Sequence, residues 1–228
     1  MSKAIFDGLF KRSHPKGIAF AFSYRNPAIP IEEQRKGRPT IFFKQLSTMT
    51  KDPHEVKLYS TFPVKYEVEL GFMINRPGRN LTPEEALYHV GGYFLLIDFT
   101  ATELFNARQR GEAWCIYKND DNYFPISSFI EKEKIKNPDD LDLELRINGE
   151  VKQKANTSEL IWNIPDLISQ TSKYVTLNEG DLFLTGTPAG ADVVNQGDRL
   201  YATLTQGNEI LADLNFTVKL DGSKPHNV

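Results

Sequence analysis

Glu67 and Glu69 stand two residues apart in residues 64–70 (VKYEVEL), where Val64, Tyr66, Val68 and Leu70 alternate with Lys65, Glu67 and Glu69. Alternation at a period of two marks a half-buried strand, so both glutamates project from the polar face, about 6–7 Å apart along the chain. Two carboxylates so placed repel each other unless a cation lies between them. Asp98 is the one charged residue of residues 93–99 (YFLLIDF), a run apolar on both faces that reads as an interior strand. A carboxylate there is costly unless it is paired or bound to metal. Two strand carboxylates and one buried aspartate, all oxygen donors, suit a hard divalent ion such as Mg²⁺, Mn²⁺ or Ca²⁺. The residues alone also admit a plainer reading, with Glu-x-Glu as solvated surface and Asp98 bonded to an arginine or to backbone amides.

The elements that must position these groups are mostly strands. Residues 18–24 (IAFAFSY) and 40–44 (TIFFK) are rich in aromatic and branched side chains. Thr82 reads as the N-cap of a helix with Pro83 in its first turn, running to about Val90 and closed by Gly91-Gly92. A second helix is expected over 101–110, ending at Gly111. Asn148-Gly149 joins 141–147 to 151–154 as a hairpin, and 158–173 reads as helical with a break or a fresh start at Pro165. Strands at 181–185, 199–205 and 210–218 complete an α+β, strand-dominated pattern. With neither repeat nor linker, residues 1–228 are expected to form a single domain in which 1–39 is a divergent N-terminal segment.

Composition narrows the function. Lys+Arg total 27 against Asp+Glu 30, and the signs are intermixed, so the basic face that nucleic acid requires is missing. Apolar runs fall short of the roughly 18–20 residues that span a bilayer, and residues 1–20 lack a secretory apolar core. The single cysteine, Cys115, fits a reducing compartment. Lys3, Lys11, Arg12 and Lys16 against Asp7 form a weak basic start, so the expected compartment is cytoplasmic or mitochondrial. Trp114, Trp162 and the stripe Phe20, Phe22, Phe42 and Phe43 read as core.

Taken in order, Tyr66-Glu67-Val68-Glu69-Leu70-Gly71, Val90-Gly91-Gly92-Tyr93 leading to Ile97-Asp98-Phe99-Thr100-Ala101, Arg146-Ile147-Asn148-Gly149, and Glu179-Gly180-Asp181-Leu182 leading to Leu184-Thr185-Gly186-Thr187-Pro188-Ala189-Gly190 resemble the fumarylacetoacetate hydrolase superfamily. The resemblance is strongest to its small members that act on oxaloacetate and acylpyruvates, and it covers about residues 40–219. It implies the mixed β-roll of that family's C-terminal domain, a homodimer, and Mg²⁺ or Mn²⁺ held by Glu67, Glu69 and Asp98. Lys118, ahead of Pro125-Ile126-Ser127, matches the family lysine. Thr187, beside Gly186, matches the threonine that helps hold the substrate carboxylate. The implied reaction passes through an enolate of a 2-oxo or β-diketo acid, the step common to acylpyruvate hydrolysis, oxaloacetate decarboxylation and keto–enol tautomerisation; a catalytically silent metal-binding relative is the remaining reading.

Departures from the family bear on which reaction survives. Hydrolysis needs a base to activate water, and the family supplies His and Glu in a mobile segment after the first strand. Here residues 23–33 place Pro27 or Pro30 where the histidine belongs, depending on whether Tyr24 or Arg25-Asn26 is matched, and only Glu33 survives, in the second register. His14 or His54 could replace it only by folding back. Thr102, Glu103 and Phe105 replace the arginine, aspartate and glutamine expected after Asp98, and Asn119-Asp120-Asp121 alters the loop after Lys118. The resemblance also generates a test of assembly: light scattering should give a mass near twice the 25.9 kDa of one chain, and the monomer mass at every concentration would contradict a dimer.

Overall fold

The computed structural model describes residues 14–221; Lys3, Asp7, Lys11 and Arg12 of the basic start lie outside them. Across the larger sheet lie Thr40–Lys44, Gly17–Ala21, Leu182–Leu184, Val68–Ile74, Val90–Ile97, Phe124–Ile126 and Met49–Lys51, with Ile130–Glu131 added against Val90–Ile97. The smaller sheet runs Glu150–Asn156, Asp142–Ile147, Arg199–Gln206, Glu209–Leu220 and Glu55–Leu58, while Val64–Lys65 pairs apart with Thr100–Ala101. Gly17–Ala21 is parallel to Leu182–Leu184, Met49–Lys51 to Phe124–Ile126, and Glu55–Leu58 to Glu209–Leu220; the other pairings are antiparallel. The expected α+β, strand-dominated mixed fold is therefore what the chain adopts.

Burial explains why these runs pair. Val68, Leu70, Phe72 and Ile74 are fully buried, and so are Leu95, Leu96 and Ile97 on the neighbouring strand. Each such side chain contributes roughly 1.5–3 kcal/mol on leaving water. Phe183 stacks on both Phe72 (4.6 Å) and Phe20 (5.9 Å), which ties the three strands at the middle of the sheet into one aromatic layer. The first strand is fixed at its start by Lys16, whose ammonium and N–H both bond the buried Asp181.

Two sequence expectations change. The alternation over 64–70 is not one strand: it breaks at Tyr66-Glu67, where the Tyr66 N–H donates to Asp192 O (3.0 Å) and Glu67 O accepts from the Asp98 N–H (2.8 Å). The helix after Thr82 is one turn, Pro83–Ala86, followed by the 3₁₀ turn Leu87–His89, and it carries the Thr82/Glu85 capping box. Gly91 and Gly92 do not close that helix but open the strand Val90–Ile97. Gly92 serves close approach: a Cβ there would meet the Phe129 ring at 2.2 Å and Ile130 O at 2.6 Å. Elsewhere the punctuation holds. Asn148 and Gly149 take φ of 52° and 88° in a tight hairpin, and Leu104–Gln109 ends before Gly111 at φ 73°. Pro165 sits in the first turn of Ile164–Ser172, capped by Asn163.

Gly92→Ala should therefore overpack a backbone contact. We expect a loss of about 1–3 kcal/mol, read as a lower urea midpoint at unchanged slope; an unchanged midpoint would show that the strand can shift to admit the methyl.

Candidate active site

The central strands bring the three acids together by register. Val68 faces Ile97 across the antiparallel pair, so Glu67 and Asp98, one step beyond, are neighbours joined by the backbone bond already described. Glu69 follows on the same strand, with Leu96 on one side and the continuation of Leu182–Leu184 on the other. One oxygen from each of Glu67, Glu69 and Asp98 can be chosen so that all lie within 4.8 Å of one another. Glu69 is not on a wet face: it is 2% exposed because its strand is interior to the sheet. Asp98 is fully buried.

Two lysines meet these acids. Lys118 ends the short helix Cys115–Lys118, and its Nζ donates to Glu67 Oε2 (2.6 Å) and Asp98 Oδ2 (2.7 Å). Lys44, the last residue of Thr40–Lys44, is completely buried, with Nζ 2.6 Å from Asp98 Oδ1 and bonded to Lys118 O. Lys44 and Lys118 thus each take one oxygen of the buried Asp98 carboxylate. Sequence reading missed Lys44 altogether. Its only signal was a lysine closing an aromatic strand, a pattern shared by many edge strands.

Burial and mutual charge set the protonation. Burial alone would raise Asp98, but Lys118 and Lys44 outweigh it and hold the carboxyl below its ordinary value. Burial, reinforced by the charges of Asp98 and Glu67, pushes Glu69 well above the ordinary carboxylate range against the pull of Lys118. Burial likewise lowers Lys44, with Asp98 resisting. It acts the same way on Lys118, yet Asp98, Glu67 and Glu69 together overcome it and hold that lysine above its usual value. Lys118 is thus fixed as an ammonium. With all five groups ionised the cluster carries one negative charge in excess, in a place where unbalanced charge is expensive.

The loop after Leu184 steadies the cluster. The Gly186 N–H donates to Glu69 Oε2 (2.8 Å), and a Cβ on Gly186, at φ 91°, would lie 2.5 Å from Ser23 Oγ. Thr187 donates its hydroxyl to Val68 O (2.8 Å) and accepts from Gln153 Nε2 (2.9 Å). Gln153, buried on Glu150–Asn156, also accepts from the Val68 N–H (3.0 Å). The second sheet therefore reaches through one glutamine to hold both the acidic strand and the threonine loop. Asn119, one of the departures after Lys118, accepts from the Gln45 N–H (2.6 Å) and donates to Cys115 O (2.9 Å), tying the two lysine-bearing elements together.

A cavity of about 160 Å³ opens onto Glu67, Glu69, Lys118 and Thr187, walled by Phe20, Leu104, Phe105 and Trp114, with Phe22 and Arg108 also lining it. Glu33 is not brought there: it lies in the one-turn helix Ile31–Gln34, half exposed, and pairs with Lys36 at 2.6 Å. His14 and His54 do not line the cavity either. The segment around Pro27 and Pro30 is tethered elsewhere. The Arg25 N–H bonds Glu159 O, the Ile161 N–H bonds Ser23 O, and Arg35 bonds Ile161 O and Asp166 while lying 5.4 Å over Trp162. The aromatic expectations divide. Phe20 is core, but Phe22 and Phe43 are 63% and 47% exposed, and Cys115 is exposed.

Lys44→Met should leave Asp98 with one cation and the cluster with a second uncompensated negative charge. We expect a loss of about 3–5 kcal/mol in urea unfolding under chelator, partly restored by millimolar Mg²⁺; an undiminished stability under chelator would remove Lys44 from the charge balance.

Comparison with known proteins agrees with this geometry. Residues 8–219 match the family described as fumarylacetoacetate (FAA) hydrolase C-terminal. A protein of Arabidopsis thaliana named oxaloacetate tautomerase FAHD1, mitochondrial, is 32% identical over 96% of this chain and 99% of its own length. One of Dictyostelium discoideum named oxaloacetate decarboxylase, mitochondrial, is 34% identical over 83% and 88%. The crystal structure of fumarylpyruvate hydrolase from Pseudomonas aeruginosa in complex with Mn²⁺ and pyruvate superposes with a TM-score of 0.81 at 27% identity, covering 90% of each chain. With a match that spans both sheets and every residue of the acidic cluster, this chain belongs to the fumarylacetoacetate hydrolase family.

Proposed function

We propose that the chain is a divalent-cation-dependent enzyme acting on small 2-oxo acids, and that its reaction is keto–enol tautomerisation of a substrate such as oxaloacetate. One observation carries this reading: a lysine fixed as ammonium shares a small cavity with two of three convergent carboxylates. The residues present fit a metal. Glu67, Glu69 and Asp98 offer hard oxygen donors that converge within 4.8 Å of one another, and when all are ionised they outnumber the two lysines beside them. When bound there, Mg²⁺ or Mn²⁺ supplies Lewis-acid polarisation of the substrate ketone.

The rest is the work of solvent and of the chain's own side chains. A solvent water molecule takes the carbon-bound proton and another returns one to the ketone oxygen, while Lys118 donates a hydrogen bond to that oxygen as it carries charge. The raised proton affinity of Lys118 makes it an electrostatic stabiliser rather than a base. Phe20, Leu104, Phe105 and Trp114 keep that oxygen in a surrounding of low polarity, which strengthens the interaction. Thr187, positioned by Gln153, holds a substrate carboxylate when its proton turns from Val68 O, and Gly186 serves through its bond to Glu69.

Hydrolysis of acylpyruvates asks for more, namely a base that activates water. Glu33 is paired with Lys36 away from the cavity, and among the described residues no histidine lines it. Tautomerisation needs no attacking water. The names of the plant and slime-mould relatives support oxaloacetate as substrate and favour a mitochondrial address over a cytoplasmic one. No helix among the described residues is long and apolar enough to cross a membrane.

The test follows the ultraviolet absorbance of enol-oxaloacetate as it converts to the keto form. Activity should require Mg²⁺ or Mn²⁺ and fall about 10²–10³-fold in Lys118→Met, and calorimetry should show Glu69→Ala losing divalent-ion affinity. Acylpyruvate hydrolysis should be about 10²–10⁴-fold weaker than in relatives that carry the base. Full activity in excess chelator would sink the metal-dependent reading.

A further inference from the structure

Arg108, near the end of the helix Leu104–Gln109, lines the same cavity as Glu67, Glu69, Lys118 and Thr187. Its guanidinium lies 5.0 Å from the Phe22 ring and 5.0 Å from the Trp114 ring. Those two rings meet edge to face at 6.2 Å. Among the described residues it has no carboxylate partner and no side-chain hydrogen bond. Arg110, two residues on, shows the contrast: it is neutralised by Glu103 and Glu112. Phe22 holds φ at 57°, a region that bulky L residues avoid, while its ring stays 63% exposed over the guanidinium.

Rings flanking a guanidinium fix its orientation and leave its planar N–H fork free for an anion. We infer that Arg108 is a specificity-determining residue that takes the second carboxylate of a dicarboxylic 2-oxo acid, the first being held at the Glu67, Glu69 and Asp98 end; this rests on the function proposed above. Charge supports the assignment. With Glu67, Glu69 and Asp98 ionised as ligands of a divalent ion, and Lys44 and Lys118 as ammonium groups, cluster and ion together carry one positive charge, enough for one anionic group. Arg108 supplies a second, separate positive charge, and a dianion matches both. The cavity, about 160 Å³, is smaller than the roughly 300–1,000 Å³ typical of drug-sized ligands, which suits a short acid.

Malate and lactate are inert hydroxy counterparts of oxaloacetate and pyruvate, and they differ by the second carboxylate. Titrations of the Mg²⁺-loaded protein, followed by calorimetry and tryptophan fluorescence, should show the wild type preferring malate. In Arg108→Met malate affinity should fall about 10–100-fold, the range of a charge-assisted hydrogen bond, while lactate affinity falls far less. Arg108→Lys should recover part of the preference, and the loss with oxaloacetate should appear in KM more than in kcat. Equal weakening of malate and lactate, no preference in the wild type, or no binding of either acid would overturn the role of Arg108. Turnover of oxaloacetate by the wild type alongside any of those results would leave the proposed reaction standing. An arginine-dependent malate preference without oxaloacetate turnover would instead sink the reaction and keep the anion seat.

Discussion

Asp98 has no access to water, and most of what is distinctive in the structure answers that constraint. A carboxylate in such a place must be met by cations, and two lysines from separate elements are drawn in, one on each oxygen. Each lysine in turn needs its own element fixed. Lys44 requires the second strand of the chain to run at the edge of the larger sheet, and Lys118 requires a short helix to end against its floor. Asn119 and the bond from Lys44 to Lys118 O lock those two elements to each other. Glu69 and Glu67 then enter an environment already charged. Scaffold and site share the same bonds here, because Gln153 and Gly186 support sheet packing and cluster geometry at once.

The three acids were legible from residue type and spacing, whereas Lys118 was legible only through the family resemblance. A charge within YFLLIDF contradicts the apolar pattern around it, and two glutamates on one face of a strand repel each other unless a cation lies between them. Lys44 breaks no local rule, since a lysine at the end of a strand is ordinary; only tertiary packing reveals that its ammonium is sealed from solvent. Arg108 was hidden for a related reason. It lies two residues before Arg110, and sequence cannot tell which of two neighbouring arginines a carboxylate neutralises. The misread helix end at Gly91-Gly92 shows the limit of turn chemistry as a guide. Glycine there answers the ring of Phe129, a neighbour 37 residues away in the chain, and not a helix terminus.

The segment carrying Pro27 and Pro30 is organised by positive contacts as well as by the absence of a histidine. Backbone bonds to Glu159 and Ile161, the Arg35 bond to Asp166 and the Arg35 stack on Trp162 hold it against the start of the helix Ile164–Ser172. Tyr24, within this segment, keeps its hydroxyl buried and unbonded, raised in proton affinity by burial and by the charges of Glu69 and Glu159. Apolar and cationic packing thus holds this segment away from the cavity.

The pairing of the first strand has a consequence for how the protein is made. Gly17–Ala21 finds its parallel partner at Leu182–Leu184, and Lys16 finds Asp181, so the aromatic layer at the middle of the larger sheet cannot close until some four-fifths of the chain has left the ribosome. During synthesis at about 5–20 residues per second, Phe20, Phe72 and their neighbours wait for Phe183 with an open sheet edge. Contacts of such sequence separation slow folding and prolong exposure of apolar surface. Chaperone demand in this chain should therefore concentrate on the interval before residues 181–184 emerge, and a nascent chain stalled short of that point would hold the acids of the site without the strand that completes their floor.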